Sequence, residues 1–160
     1  MLMKKIFVIL SLISFSSITL AEKFSTDEIL GFWLTKEERA VIQIYKNGDK
    51  YEGKLVWLID VHNGKKEIIL DDKNPDEDLQ KRNLQGLINL KGFIFEDGEW
   101  VDGEIYDPNK GKTYSAKMKL ENKNELHLRG YIGIPMFGRT SEWVRQAGIT
   151  PDKFQKQSKK

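Results

Sequence analysis

The sequence predicts an all-β protein, an antiparallel up-and-down meander that closes into an eight-stranded barrel. Segments in which apolar and polar residues alternate recur along the chain, as in strands with one buried face. Short runs of Asn, Asp, Gly and Pro separate these segments and are typical of hairpin turns. Pairing the strands about those turns brings apolar residues opposite apolar residues. Closure into a barrel would leave no exposed strand edge.

The stretch GEIYDPNKGKTYSAKMKL, residues 103–120, predicts the register of a central hairpin. A four-residue loop at 108–111 would pair Asp107 with Lys112, since Pro presets φ early in the loop and Gly supplies a positive φ at its end. A slip of one residue would mix the two faces, so loop chemistry and alternation support the same register. The pairs expected on the apolar face are Ile105 with Tyr114, Gly103 with Ala116 and Val101 with Met118.

Three further turns extend this apolar face. Asp97-Gly98 and Asn47-Gly48 are strong signals for two-residue hairpin turns, and residues 122–124 predict a three-residue turn. The pairs expected from these turns are Ile94 with Val101, Gly92 with Gly103, Leu90 with Ile105, Leu120 with Leu126, Met118 with Leu128, Ala116 with Gly130, Ile44 with Tyr51, Ile42 with Gly53 and Ala40 with Leu55.

Eight strands and two short helices follow from these pairings. One helix is expected near 25–30, where Ser25 and Glu28 match a capping box, and one near 75–82, where Asn74-Pro75 can open a helix. The strands are expected at 31–34, 40–46, 50–60, 87–96, 99–106, 112–120, 125–132 and 139–145.

The first residues predict an export signal. Two lysines precede the apolar run 6–13, and Thr19 and Ala21 provide the small residues of a cleavage site. The run is too short for a membrane span, which needs about 20 residues. We therefore expect a signal peptide at 1–21, a single β-barrel domain at 22–146 and a basic, flexible tail at 147–160. The mature protein would be periplasmic or extracellular, with no membrane span.

Charge and cysteine content exclude several classes of protein. Removal of residues 1–21 takes away two lysines and no acid, which brings the formal charge from +2 to zero. A neutral surface lacks the basic patch of a nucleic-acid-binding protein, so no nucleic-acid partner is expected. The absence of cysteine excludes disulfides, thiolate metal sites and a lipid-anchored cysteine.

Several long motifs resemble one family of small exported bacterial proteins, a domain of unknown function designated DUF2147. The motifs are GFWLT, GKLVWL, DDKNPDEDLQKRNLQGL, DGEIYDPNKGKTYSAKMKL and LHLRGYIGIPMFGRTSEWVR, and they span about residues 30–145 in order. The resemblance implies no reaction. Gly31-Phe32-Trp33 also looks like the G-x-W motif of lipocalins, in which an arginine of the last strand covers the Trp. Arg139 or Arg145 would take that place here.

A row of small residues crosses the predicted apolar face. Gly92, Gly103, Ala116 and Gly130 would lie side by side, one on each of four strands. Such a row either lets the strands bend or leaves a trough, which a large side chain such as Trp33, Trp57 or Trp143 or a ligand would occupy. The expected ligand-binding residues are Tyr51, Trp57, Gly92, Gly103, Tyr114, Ala116, Met118 and Gly130.

Other motifs are better explained by structure than by chemistry. DPNKGK lacks the spacing of a phosphate-binding loop. The acidic run at 71–78 places Asp72, Asn74, Asp76 and Asp78 at alternate positions but lacks the Gly and the bidentate Glu of a calcium loop. The two histidines, His62 and His127, have no evident partner. Asp102, Lys117 and Arg129 form an expected charge row on the outer face. No catalytic residue, metal ligand or cofactor is predicted.

Three functions remain open at this point. The first is non-catalytic binding of a small, mainly apolar ligand inside the barrel. The second is an envelope protein-protein interaction module that uses the acidic 71–82 segment and aromatic residues expected on the outer face, namely Phe93, Phe95, Trp100 and Tyr131. The third is an uncharacterised hydrolase, in which His62 or His127 would be hydrogen-bonded to a carboxylate inside a cleft.

Overall fold

The computed structural model describes residues 24–59 and 69–149. Eight antiparallel strands form a closed barrel in chain order, each paired with the next and β8 paired with β1. This confirms the predicted fold class. The expected signal peptide, His62 and most of the expected tail lie outside the described residues. The strands are β1 (Gly31–Leu34), β2 (Ala40–Asn47), β3 (Lys50–Leu58), β4 (Ile88–Glu96), β5 (Glu99–Asp107), β6 (Lys112–Asn122), β7 (Glu125–Tyr131) and β8 (Arg139–Gln146).

Fewer residues are helical than expected. The segment near 25–30 forms hydrogen-bonded turns, in which the Ser25 N–H donates to the Glu28 carboxylate at 3.2 Å, one half of the expected capping box. The segment near 75–82 forms only a 3₁₀ turn at Glu77–Leu79, and a second 3₁₀ turn occurs at Pro135–Phe137. Runs this short cannot form a stable α-helix without packing. None of the helices in residues 24–59 and 69–149 is long and apolar enough to cross a membrane.

The central hairpins have the predicted register. Asp107 pairs with Lys112 and Gly103 pairs with Ala116. Across β6 and β7, Ala116 pairs with Gly130. Gly111 has a φ of +61°, and a Cβ there would lie 1.8 Å from the Lys73 carbonyl oxygen. DPNKGK is therefore a hairpin loop against which another segment of the chain packs. Gly111 is required there for two reasons, its positive φ and the close approach of the Lys73 carbonyl.

The β2–β3 hairpin is shifted by two residues from the prediction. Asn47 pairs with Lys50, so Gly48 and Asp49 form the turn, and Ile44 faces Gly53 where Tyr51 was expected. Glycine at the first turn position supplies the required positive φ, +61° at Gly48. Because the shift is an even number, every side chain keeps its predicted face at the turn end of the hairpin.

Matched bulges in β4 and β5 correct the predicted faces of these strands. Trp100, in place of Val101, pairs with Met118, which leaves one extra residue on β5 before Gly103. On β4, Leu90 pairs with Gly53 and Phe93 with Tyr51, which again leaves one extra residue. A bulge reverses the alternation beyond it. Phe93 and Trp100, expected on the outer face, are consequently fully buried in the core.

The two bulges have unusual backbone angles that make them possible. Gly92 has a φ of +80° and Asp102 a φ of +56°. Glycine adopts such angles without strain, and Asp tolerates them better than most residues. The expected pair of Gly92 with Gly103 is replaced by this irregular stretch, although Ile94 still pairs with Val101.

The barrel has two different ends. The tight turns at 48–49, 97–98 and 123–124 lie at one end, together with residues 24–30, here called the closing segment. The longer connections β1–β2, β3–β4, β5–β6 and β7–β8 lie at the other end. The core between them consists mainly of large apolar side chains, including Trp33, Tyr51, Leu90, Phe93, Trp100, Met118, Leu126 and Trp143.

Candidate ligand-binding site

The closing segment and a stacked arginine seal one end of the barrel. The indole Nε1 of Trp33 donates a 2.8 Å hydrogen bond to the Ile29 carbonyl. The guanidinium of Arg145 lies 4.1 Å from the centre of the Trp33 ring and donates to the carbonyls of Leu30 and Glu28 at 2.8 and 2.5 Å. Of the two arginines expected over Trp33, Arg145 takes this place. Desolvation lowers the pKa of Arg145, and these carbonyl contacts compensate a half-buried cation.

Tyr51 belongs to the same closed end. Its hydroxyl donates to the Asp27 carboxylate at 2.7 Å and is hydrogen-bonded to the Thr26 hydroxyl. The hydrogen bond from Tyr51, and then that from Lys46, hold the pKa of Asp27 below its usual value. Tyr51 thus ties the closing segment to the barrel, and its position is distant from the open end.

A cavity of about 810 Å³ occupies the open end and is continuous with solvent. Its volume falls in the range of about 300–1,000 Å³ that is typical of small-molecule sites. The deeper wall is apolar and comes from β2, β3, β5, β7 and β8. The side chains of that wall are Ile42, Leu55, Ile105, Leu128 and Trp143.

A few polar groups interrupt the apolar wall. Asn89 on β4 is buried, and its Oδ1 accepts no hydrogen bond from any described residue. Tyr114 also lines the cavity, and Ser141 accepts a 3.0 Å hydrogen bond from the indole of Trp143. A small number of polar groups in an apolar wall is the usual means by which a pocket orients its ligand.

The rim of the cavity carries charge. Lys110 and Asp107 form an ion pair at 3.3 Å. Arg39 and Arg139 also line the rim, and neither guanidinium has an ion-pair or hydrogen-bond partner among the residues that the structure describes. Glu37 is the remaining charged rim residue. Two unpaired cations at the mouth favour a ligand group of negative charge there.

Residues 69–87, here called the mouth segment, form part of the cavity wall through Ile69 and Leu84. A buried carboxylate holds the segment in place. Asp71 accepts hydrogen bonds from the Tyr106 hydroxyl at 2.6 Å and the Asn74 amide at 2.7 Å, and it forms a 2.7 Å ion pair with Arg82. Burial by itself raises the pKa of Asp71, but these three partners together outweigh it, so the pKa lies below the usual value.

This network accounts for the acidic run. The Asn74 side chain is engaged with Asp71 and Tyr106, and Asp76 caps the 3₁₀ turn by accepting from the Asp78 N–H at 3.0 Å. Within the described ranges, no three His, Asp or Glu side chains are grouped so that they could hold a metal ion.

The predicted ligand-binding residues lie in four different places. Tyr114 and Gly130 line the cavity. Tyr51, Ala116 and Met118 lie in the core, and Gly92 and Gly103 lie in or beside the bulges. Trp57 packs with Leu34 and Val41 in a second, smaller cluster.

At Gly103 the row of small residues is filled by a phenylalanine rather than by a tryptophan. A Cβ on Gly103 would lie 2.3 Å from Cγ of Phe93. A Cβ on Gly130 would instead meet Ile105 at 3.5 Å, an ordinary contact. The open part of the expected trough is therefore its Gly130 end. Asn89 was not predicted because strict alternation places it on the face opposite to Leu90.

The outer surface holds the remaining candidates. His127 lies on β7 beside Lys119 as predicted, and its ring nitrogens contact Glu125 at 2.9 Å and Glu121 at 3.4 Å on the outer face. Of the expected charge row, Lys117 pairs with Glu99 at 2.7 Å, whereas Asp102 lies in the bulge. Phe95 is half-buried against Trp100, and Tyr131 lines the cavity.

A family model described as "Uncharacterized protein conserved in bacteria (DUF2147)" matches residues 31–145. The chain belongs to this family. The DUF2147 match begins at the first residue of β1 and ends at Arg145, the residue that covers Trp33, so it includes both partners of the closed end. Among curated proteins, none matches the chain.

A solved structure resembles this member of DUF2147 in fold. It is protein HP1028 from the human pathogen Helicobacter pylori, described as belonging to the lipocalin family. The two chains share 22% identity with a TM-score of 0.66, and the alignment covers 81% of this chain and 88% of HP1028. At this identity the similarity shows a common lipocalin-like barrel, as expected from the G-x-W motif, and nothing about the ligand.

Proposed function

We propose that this protein is an exported, non-catalytic barrel that binds a small, mainly apolar ligand in the cavity at its open end. The observation that carries the proposal is the cavity of about 810 Å³, whose deeper wall is apolar while the opposite end of the barrel is sealed. A lipocalin-like barrel suggests ligand binding in general. Export is inferred from the pattern of residues 1–21, with the periplasm or the extracellular space as its destination.

The arrangement of the wall indicates how such a ligand would be oriented. An apolar portion would lie against Ile42, Leu55 and Leu128, where it gains about 25 cal/mol for each Å² removed from water. An acidic or polar end would remain at the rim beside Arg39 and Arg139. The proposed site therefore keeps Tyr114 and Gly130 from the sequence prediction and takes the rest of its residues from the observed wall.

The two other functions receive less support from the geometry. The interaction module would use outer aromatics and the acidic 71–82 segment, but Phe93 and Trp100 lie inside the core. The hydrolase requires a histidine and a carboxylate inside a cleft, whereas His127 and its carboxylates lie on the outer face. In the acidic 71–82 segment, Asp71 is buried and engaged with Tyr106 and Arg82, and Asp76 caps the 3₁₀ turn.

A fluorescence titration with cis-parinaric acid, an apolar probe with a carboxylate end, tests the proposal. We expect saturable binding with a dissociation constant of about 10–100 μM, since a ligand of about 20 non-hydrogen atoms gains about 0.3 kcal/mol for each of them. Gly130→Phe places a ring in the open part of the cavity and should abolish saturable binding. Ser115→Phe places the same ring on the outer face of β6 and should leave binding unchanged. Equal binding by both variants would exclude the cavity as the site.

A further inference from the structure

The loop that joins β7 to β8, residues 132–138, exposes four large apolar side chains beside the cavity mouth. Ile132, Ile134, Met136 and Phe137 are exposed by 73, 52, 75 and 77%. Single exposed apolar residues are normal on a protein surface, but four in one seven-residue loop form a patch of the kind that marks an interaction site. Ile132 and Phe137 also line the cavity, so the patch and the mouth are continuous.

These side chains are exposed although hydrogen bonds hold the backbone of the loop in place. The guanidinium of Arg129 donates to the carbonyls of Pro135 and Met136 at 2.7 and 3.1 Å and to the Thr140 hydroxyl at 2.9 Å. The loop also contains its own 3₁₀ turn at Pro135–Phe137. The fold thus presents the apolar side chains in a fixed arrangement, which lowers the entropic cost of docking them.

The charge around the patch indicates what it docks on. The surrounding hairpin, residues 126–141 (LHLRGYIGIPMFGRTS), contains Arg129 and Arg139 and no Asp or Glu. Apolar side chains flanked by cations are the combination that binds the surface of a bilayer with anionic head groups. A second copy of the chain is a poorer partner, because a symmetric contact through this loop would bring the two cationic hairpins together.

We propose that this loop docks the open end of the barrel on the surface of an anionic lipid bilayer. Its apolar side chains would enter the head-group region, to a depth of about 5–10 Å for an interfacial segment. The cavity mouth then faces the lipid, so that an amphiphile could pass between the bilayer and the barrel without crossing water. The docking surface itself does not depend on the proposed ligand and is tested separately from it.

Co-sedimentation with lipid vesicles tests this surface. The processed protein, purified from its host cell, is mixed with vesicles of phosphatidylglycerol and phosphatidylethanolamine, or with vesicles of phosphatidylcholine alone. We expect binding to the anionic vesicles to be about tenfold stronger, and to fall by about tenfold or more in the double variant Met136→Ser, Phe137→Ser. Val144→Ser, which removes an apolar side chain exposed by 53% elsewhere on the surface, is the matched control and should bind as the unmodified protein does.

Three results would overturn the docking proposal: equal sedimentation of the double variant and the unmodified protein, equal binding to both kinds of vesicle, or a concentration-dependent dimer that the double variant abolishes. All variants have the same termini, so a contribution from either terminus cancels in the comparison. Failure of the parinaric acid titration with intact vesicle binding would exclude the ligand and leave the docking surface in place.

Discussion

At the scale of single residues, the space around each small side chain decides its role. Gly103 and Gly130 both flank Ala116 on the inner face of the barrel, as their pairing predicted. The ring of Phe93 covers Gly103, whereas Gly130 faces the cavity. The pairing of these residues could be predicted from alternation and turn chemistry. The position of Phe93 could not, because it depends on two bulges that no periodic pattern reveals.

Substitution of these two glycines by alanine tests the packing of Phe93. Gly103→Ala places a Cβ 2.3 Å from the Phe93 ring and should lower the free energy of unfolding by about 1–3 kcal/mol, as overpacked cores do. Gly130→Ala meets only ordinary contacts and should change the free energy of unfolding by less than about 1 kcal/mol. Urea denaturation of both variants measures the difference. Similar values for both would show that Phe93 does not cover Gly103.

At the scale of elements, strand pairing was more predictable than the connections. All eight strands lie within a few residues of their expected bounds, because alternation and turns such as Asp97-Gly98 define them locally. Within the mouth segment, a short helix was expected near 75–82. The order of the segment depends instead on Asp71, which binds Tyr106 of β5 across 35 positions of sequence. Contacts between residues so far apart leave no periodic signal in a single sequence.

Asp71→Asn tests whether this carboxylate holds the mouth segment. The substitution leaves the Arg82 charge without its partner, and we expect a loss of about 2–4 kcal/mol in the free energy of unfolding at pH 7. Asp72→Asn, at the exposed neighbouring position, is the matched control and should have little effect. Urea denaturation of the three proteins gives these values.

The direction of the Asp71 pKa shift predicts how the stability difference between the unmodified protein and Asp71→Asn changes with pH. The pKa of Asp71 in the folded protein lies below its ordinary value of 3.8. Its contribution to stability is therefore complete above the pKa of the unfolded chain and is lost as pH falls through the folded value. The difference between the unmodified protein and Asp71→Asn should narrow below about pH 4. A difference that stays constant down to pH 2 would contradict a charged, paired Asp71.

At the scale of the whole molecule, the barrel combines a sealed end with an open one. The sealed end could be predicted in outline, because the G-x-W motif at Gly31-Phe32-Trp33 indicates an arginine over Trp33. The cavity could be predicted only in part. Tyr114 and Gly130 belong to it, but Tyr51 closes the opposite end, and Asn89 enters the wall from a position that alternation assigns to the other face. The strand order could be predicted, but which face each side chain takes near the bulges could not.

Native mass spectrometry of the protein purified from its own cells tests the central claim most directly, since it asks whether the cavity holds a molecule. We expect the unmodified protein and Ser115→Phe to carry a small molecule that is released on denaturation, and Gly130→Phe to show the mass of the bare chain. The bare mass in all three proteins, or the same bound molecule in all three, would contradict ligand binding in the cavity.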